Sequence, residues 1–505
     1  MITNVLEWLE STAERLPDKV AIRREDDALT YAQLLEQARI AGTWIAPQAR
    51  PRTAVVLYLE KSPAAYAAML GAAYAGCFYS VVDVRQPAAR ALSICERLAP
   101  SIILTDAANE AAAHELFANS PWPIRTLDEI CGPADGALLA AIRAQATDVD
   151  PLYVTFTSGS TGTPKGVVTA HRSVLDFAST FARTFGIQED DILGNQAPFD
   201  FDASVKDLYS AMQTGATVLL IPRDYYTNPT RLMDYICDNE VTNLTWAVSA
   251  MCFVSIMNGF DYRVPTTVHR VLFSGEVMPP KQLSIWQRAL PNTMFVNLYG
   301  PTESTCNCAF FIVDREYAKD EVIPMGHAFD NERIFLLDDS GKLVTEAETP
   351  GELYVGGSTL ALGYLNDPAH TAEAFVQNPL NNRWLETVYR TGDLAKYDEA
   401  GNLVYISRKD NQIKHLGQRI ELGEIEAVAQ GIDGVTRAVC LYDSKRKRIH
   451  LVYIGDIEKG DLSASLKEAL PQYMVPNRIH QVDAMPLNKN GKTDRHALEA
   501  VCRIR

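Results

Sequence analysis

The feature that most constrains this chain is a change of texture about two-thirds of the way along it. Before that point, short apolar runs at 53–58, 101–104, 216–221 and 270–273 alternate with segments of helical spacing such as 173–184 and 230–239. Continuous apolar runs suit strands buried on both faces, and parallel strands need helical crossovers, so the alternation predicts α/β layers with largely parallel sheets. From about Asn331 the pattern becomes hairpins. The runs 334–337 and 342–344 flank a turn at Asp339-Ser340-Gly341, and Glu399-Ala400-Gly401-Asn402 is a second such turn. This predicts a small β-barrel or distorted sheet after two α/β layered sheets. Beyond Lys409 a smaller α+β unit is expected, with a helix at 421–430 and a hairpin across 443–448. The expected division is a large N-terminal core at 1–409 and a small domain at 410–505.

Charge narrows the function classes. Among 505 residues, 47 Lys and Arg face 63 Asp and Glu, a net charge of −16. That field repels nucleic acid and anionic membrane, so neither is an expected partner. The basic turn Ser444-Lys445-Arg446-Lys447-Arg448 reads as a solvated hairpin tip. No charged residue occurs between Ser62 and Val82, but the stretch is rich in Ala, Gly and Tyr and is interrupted by Pro63 and Gly71. A buried helix running into a strand is the better reading than a membrane span. The start carries no secretory pattern and reads as an amphipathic helix, with Asn4 and Glu7 at capping-box spacing. Nine scattered cysteines, of which only Cys306 and Cys308 are close, predict reduced thiols in a cytoplasmic protein.

The most informative local stretch is 153–167. An apolar run leads into Thr157-Ser158-Gly159-Ser160-Thr161-Gly162-Thr163-Pro164-Lys165, and a second strand follows. Glycines let backbone approach an anion, successive N–H groups and hydroxyls form an anion-binding concavity, and Lys165 adds a mobile charge. The spacing is not that of a Walker A loop.

With this loop the chain resembles the adenylate-forming superfamily of acyl-CoA synthetases, luciferases and adenylation domains of nonribosomal peptide synthetases. The resemblance continues through 195–204, Asn297-Leu298-Tyr299-Gly300-Pro301-Thr302-Glu303, 351–357, Tyr389-Arg390-Thr391-Gly392-Asp393, 408–414, 417–426 and Asn490-Gly491-Lys492, in the family's order and over nearly the whole chain. Within the superfamily the stretch 195–209 is similar to stand-alone ligases of the D-alanine–carrier protein type. Ser407 and Val84 stand where the family commonly has Gly and Pro.

The resemblance implies two half-reactions. A carboxylate and ATP give an acyl-adenylate and pyrophosphate, and a phosphopantetheine thiol then takes the acyl group. Thr157, Ser158, Gly159, Ser160, Thr161, Gly162 and Lys165 are expected on the β- and γ-phosphates, with Glu303 on Mg²⁺. Thr302 is expected at the α-phosphate, Tyr299 and Gly300 against adenine, and Gly275 and Glu276 beside it. Asp393 suits the two ribose hydroxyls, with Arg408 in support. Lys492 is expected to bridge the carboxylate and α-phosphate, Asp410 to be a hinge, and Gly417 to admit the phosphopantetheine arm of a carrier protein supplied in trans.

Asp202 matches the aspartate that receives a substrate α-ammonium. Aryl and fatty acids would leave it buried and unpaired, which argues against an acyl-CoA synthetase. The other pocket positions carried over are Ala203, Lys206, Thr245, Leu272, Ser274, Leu298, Cys306 and Asn307, with Thr245 in the poorest match. A lysine in a side-chain pocket needs an anion, so Lys206 favours glutamate, aspartate or a related acid unless it pairs with a protein carboxylate or points outward. Leu272, Ser274 and Leu298 also resemble pockets for serine or cysteine. D-Alanine and a non-catalytic carrier-binding scaffold remain the alternatives.

Overall fold

The alternation resolves into two sheets of mostly parallel strands, in an order that the chain does not follow. The computed structural model describes residues 2–159, 164–409, 412–486, 493–502 and 504. A nine-stranded sheet has the order His327–Ala328, Ala309–Val313, Met294–Tyr299, Arg270–Ser274, Asn243–Ala247, Ile192–Asn195, Thr217–Leu220, Val20–Arg24, Asp27–Thr30. Its six inner strands, from Met294–Tyr299 to Val20–Arg24, are parallel. A seven-stranded sheet runs Gly363–Tyr364, Lys165–Ala170, Pro151–Thr157, Phe78–Val82, Ala54–Tyr58, Ile102–Thr105, Ile124–Thr126. The hairpin-rich stretch forms a third, antiparallel sheet of six strands from Glu332 to Arg408, with a register shift between Glu352 and Tyr354.

Helix starts follow local chemistry. Glu7 accepts from the Asn4 backbone N–H at 2.9 Å while Asn4 accepts from Leu6 N–H at 3.0 Å, so the expected pair closes the entry to Leu6–Arg15. The uncharged segment forms the buried helix Pro63–Tyr74 and then the strand Phe78–Val82. Its small residues serve a close crossing with helix Tyr31–Ile45. A Cβ at Gly42 would lie 2.4 Å from Tyr74 Cβ, and one at Gly71 would lie 2.5 Å from Ala41 Cβ. Among the described residues no helix is long and apolar enough to cross a membrane.

Strand pleating sorts alternate residues of the nine-stranded sheet into two cores. Leu272, Val296 and Leu298 pack with Val205, Leu208 and Tyr209 of helix Ser204–Thr214. Leu244, Trp246, Val271, Phe273 and Phe295 pack on the other face around Trp286. This sorting aims one face of several strands at one helix, and the site is built there.

Contacts divide the chain into two units. The first holds Met1–Val84, Arg97–Thr155 and Gly166–Ser407; the second holds Arg85–Glu96, Phe156–Lys165 and Arg408–Arg505. In the second, Gln412–His415 pairs with Gln418–Glu421, and helices Leu422–Gln430 and Lys459–Ala469 pack on a sheet of Val435–Asp443, Arg448–Gly455 and Arg478–Gln481. The residues at 444–448 are exposed at the tip of its hairpin.

Candidate active site

The predicted pocket residues of the first unit come from three kinds of element. Thr245, Leu272 and Val296 are in register on adjacent parallel strands, as are Ala247 and Ser274 one pleat further on. They share the face that meets helix Ser204–Thr214, at whose start stand Asp202, Ala203 and Lys206. The carboxyl ends of parallel strands are where open α/β sheets place ligands. Cys306 and Asn307 arrive from the loop after Met294–Tyr299. That loop can return because Gly300 has no side chain: a Cβ there would lie 2.3 Å from Asn307 Cα. Thr305 and Cys306 complete the reversal with positive φ.

These residues meet through named contacts. Lys206, only 2% exposed, donates from Nζ to Asn307 Oδ1 at 3.1 Å and to Ser274 Oγ at 3.3 Å. Cys306 Sγ donates to the Asp202 carbonyl at 3.0 Å. Leu272 and Leu298 supply apolar wall in the same core as Cys306. Thr245 hydrogen-bonds Asp207. No carboxylate among the described residues lies within ion-pair distance of Lys206, although Asp202 and Asp207 both feel its charge. Burial raises the Asp202 carboxyl above its usual range; the Thr302 hydroxyl and the Lys206 charge work against that, and Glu303 adds to it.

A second set surrounds the strand end at Tyr299. The Tyr299 hydroxyl donates to the buried Asp393 carboxylate, whose own N–H donates to Thr391 Oγ1 at 3.0 Å. Gly275, with φ of 94°, and Glu276 follow the Arg270–Ser274 strand and are half-buried. Glu303 is fully buried in the turn Thr302–Ser304 and accepts the Tyr364 hydroxyl at 2.7 Å. An anionic, oxygen-only donor of this kind suits Mg²⁺, which takes one or two protein carboxylates and leaves its other positions to phosphates and water.

In the second unit, Ser158 donates to the Arg419 carbonyl at 2.7 Å and accepts from Glu421 N–H at 3.1 Å. Gly159 N–H donates to Glu424, a carboxylate that also pairs with Arg90. One anion-binding group of the loop, the Gly159 N–H, therefore already meets a carboxylate. Thr157 ends strand Pro151–Thr157, Lys165 begins Lys165–Ala170, and Arg408 ends Leu403–Arg408. Gly417, with φ of 77°, sits in the turn between its two short strands. Ser160, Thr161, Gly162, Asp410 and Lys492 lie outside the described residues.

One contributor was not anticipated. Lys61 donates to Asn195 O and Oδ1, both at 3.0 Å, to Gln196 O at 3.1 Å and to Ala197 O at 3.4 Å. Asn195 Nδ2 passes the contact on to Asp207 Oδ2 at 2.9 Å. Burial drives the Lys61 pKa down to about 7 and the Asp207 pKa up to about 6. The only sequence signal was a charged residue directly after an apolar strand, which is also what a surface turn looks like.

Comparison with known proteins identifies the family. The family described as AMP-binding enzyme matches residues 9–365. The chain belongs to that family. It is 33% identical over 496 residues to gramicidin S synthase 2 of Brevibacillus brevis, and 32% identical over 510 residues to malpinin synthetase of Mortierella alpina. These matches cover 97% and 98% of this chain but only 11% and 6% of those proteins. The solved structure of holo-PA1221, an NRPS protein containing adenylation and PCP domains bound to a vinylsulfonamide inhibitor, superposes with a TM-score of 0.84 at 25% identity, covering 99% of this chain and 84% of that one. The crystal structure of IdnL1 gives 0.82 at 29% identity, covering 96% and 99%. The AMP-binding family chemistry, formation of an adenylate, is therefore that of this chain, and its α/β fold is that of adenylation domains.

Proposed function

We propose that the chain activates an α-amino acid with an acidic side chain, of the glutamate or aspartate type, and transfers it to a phosphopantetheine thiol on a carrier protein supplied in trans. The observation that carries the side-chain reading is Lys206. Its buried ammonium has three N–H donors and meets two neutral acceptors, Ser274 and Asn307, at the end of a predicted pocket. A buried cation so placed favours an anionic ligand group, since burial without a counter-charge is costly. Asp202 supports the other end of the ligand: its buried carboxylate suits an α-ammonium and disfavours acids that lack one.

In this reading a substrate carboxylate oxygen bonds to the α-phosphorus of ATP and pyrophosphate leaves. The carrier thiol then attacks the acyl carbon, AMP leaves, and the thiol proton passes to solvent. Bound Mg²⁺ on Glu303 would neutralise phosphate charge. Asp393 and Tyr299 would hold the nucleoside, Thr302 and Lys492 the reacting groups, and Thr157–Lys165 the departing phosphates. Asp410 is the proposed hinge, and Gly417 the proposed point of entry for the arm. Positioning and charge stabilisation supply the acceleration.

A panel of ATP–pyrophosphate exchange tests this reading. It includes every proteinogenic amino acid, D-alanine, D-serine, aminoadipate, a benzoate and a fatty acid. Exchange is expected with one acidic α-amino acid. Exchange confined to serine, cysteine or D-alanine would overturn the role of Lys206. Exchange with the benzoate or fatty acid alone would overturn that of Asp202, and no exchange with any acid would leave a scaffold.

A further inference from the structure

The sheet of the second unit has a second face, away from helices Leu422–Gln430 and Lys459–Ala469, and that face carries an unusual cluster. Val439, Leu441 and Val452 pack there with Leu498 and Cys502 of the final helical segment. His450 and Val452 alternate on one strand, and His480 is the register partner of Val452 on the next. Both imidazoles therefore lie on the face that Cys502 covers. Their rings are parallel to within 3°, and His450 Nδ1 stands 3.1 Å from His480 Nε2. His450 and Cys502 are buried, at 6% and 7% exposure. One ligand atom from each of the three side chains falls within 4.8 Å of the other two.

A shared proton between neutral imidazoles explains only part of this. One N–H···N bond satisfies one nitrogen of each ring, yet His450 Nε2 is buried with no partner among the described residues. Buried polar atoms are almost always paired, so this nitrogen, on a ring beside a second histidine and a thiol, is open to a further partner.

We propose that His450, His480 and Cys502 form a metal site for Zn²⁺ or a transition-metal cation of similar softness. Two imidazoles and a thiolate match that chemistry and not the oxygen-ligated chemistry of Mg²⁺ or Ca²⁺. Nitrogen and sulfur ligands at about 2.0–2.3 Å from one tetrahedral ion stand roughly 3–4 Å apart, and one ligand atom from each of these three side chains lies within 4.8 Å of the others. Three protein ligands leave a fourth position for water. Loading replaces the thiol proton of Cys502 with the metal and releases that proton to solvent. The ion itself drives that deprotonation. The bonds would staple the final helical segment, Arg495–Val501 and Cys502, to the sheet strands that carry His450 and His480. The site is independent of which acid the enzyme activates.

Co²⁺ and Zn²⁺ titrated into the full chain test the proposal. Co²⁺ is expected to give near-ultraviolet thiolate charge transfer and intense visible tetrahedral bands at one equivalent. Zn²⁺ should bleach them and raise the melting temperature relative to chelator-treated protein. Cys502→Ser should abolish the charge-transfer band and His480→Gln should weaken the visible ones, while Cys131→Ser, at an exposed thiol, should change neither. A wild-type chain without the band, or a band that survives Cys502→Ser, would overturn the site. An unchanged melting temperature in Zn²⁺ does so even if the variants fail to fold.

Discussion

Two lysines of the first unit bring ammonium groups near enough to Asp207 for it to feel both charges, and they are treated differently. Lys61 meets four oxygens, all from residues 195–197, which use up its donors. Lys206 meets two, each from a different element. The first arrangement pins a stretch of backbone. The second leaves a charged group partly unspent among the proposed pocket residues. A buried cation thus reveals its role by the number and origin of its acceptors more than by its burial.

That contrast can be broken by experiment. Lys206→Met should have the largest effect on activity, a loss of about 2–5 kcal/mol of transition-state binding for the acidic substrate, read as a fall of roughly thirtyfold or more in kcat/KM. Stability should hardly change, because a neutral chain of similar volume replaces a buried charge. Lys61→Met should do the opposite. Loss of its four contacts should cost about 3 kcal/mol in denaturant melts, while the preference among amino acids stays the same. If both variants shift specificity equally, the two lysines form one site and the contrast fails.

Smaller effects sharpen it. Gly300→Ala places a methyl against Asn307 Cα and should cost about 1–3 kcal/mol, with KM for the amino acid rising before KM for ATP, since Asn307 holds Lys206. A separate readout is pH dependence. Asp207 titrates near 6 when folded against an ordinary value of 3.8, so the folded state holds the extra proton and stability falls as pH rises from 4 to 6. Lys61 titrates near 7 against 10.5, so the unfolded state holds the extra proton and stability rises from pH 7 to 10. Asp207→Asn should flatten the first slope and Lys61→Met the second, measured as unfolding free energy against pH.

Much of this architecture was legible in the sequence because it is written locally. The runs at 216–221 and 270–273 became strands Thr217–Leu220 and Arg270–Ser274, and the uncharged stretch became a buried helix and strand. The order of strands was not legible. Val20–Arg24 joins Thr217–Leu220 while Ala54–Tyr58 joins another sheet, a choice made by contacts that no local pattern records. The same division holds at the site. Lys206, Ser274 and Asn307 could be nominated one by one from motif register, but their convergence needed the fold. Lys61 was missed because its partners are 134 to 136 positions away, and Thr245 proved to be a support for Asp207.

The tight passage of the chain at Gly300 has an evolutionary consequence. Backbone, not side chains, fixes where positions 306 and 307 stand, and strand pleating fixes 272, 274 and 298. Codon changes at those five positions can therefore alter the chemistry offered to a ligand without asking the scaffold to refold. Such a lineage can explore new acids by point mutation while its adenylating machinery is inherited intact.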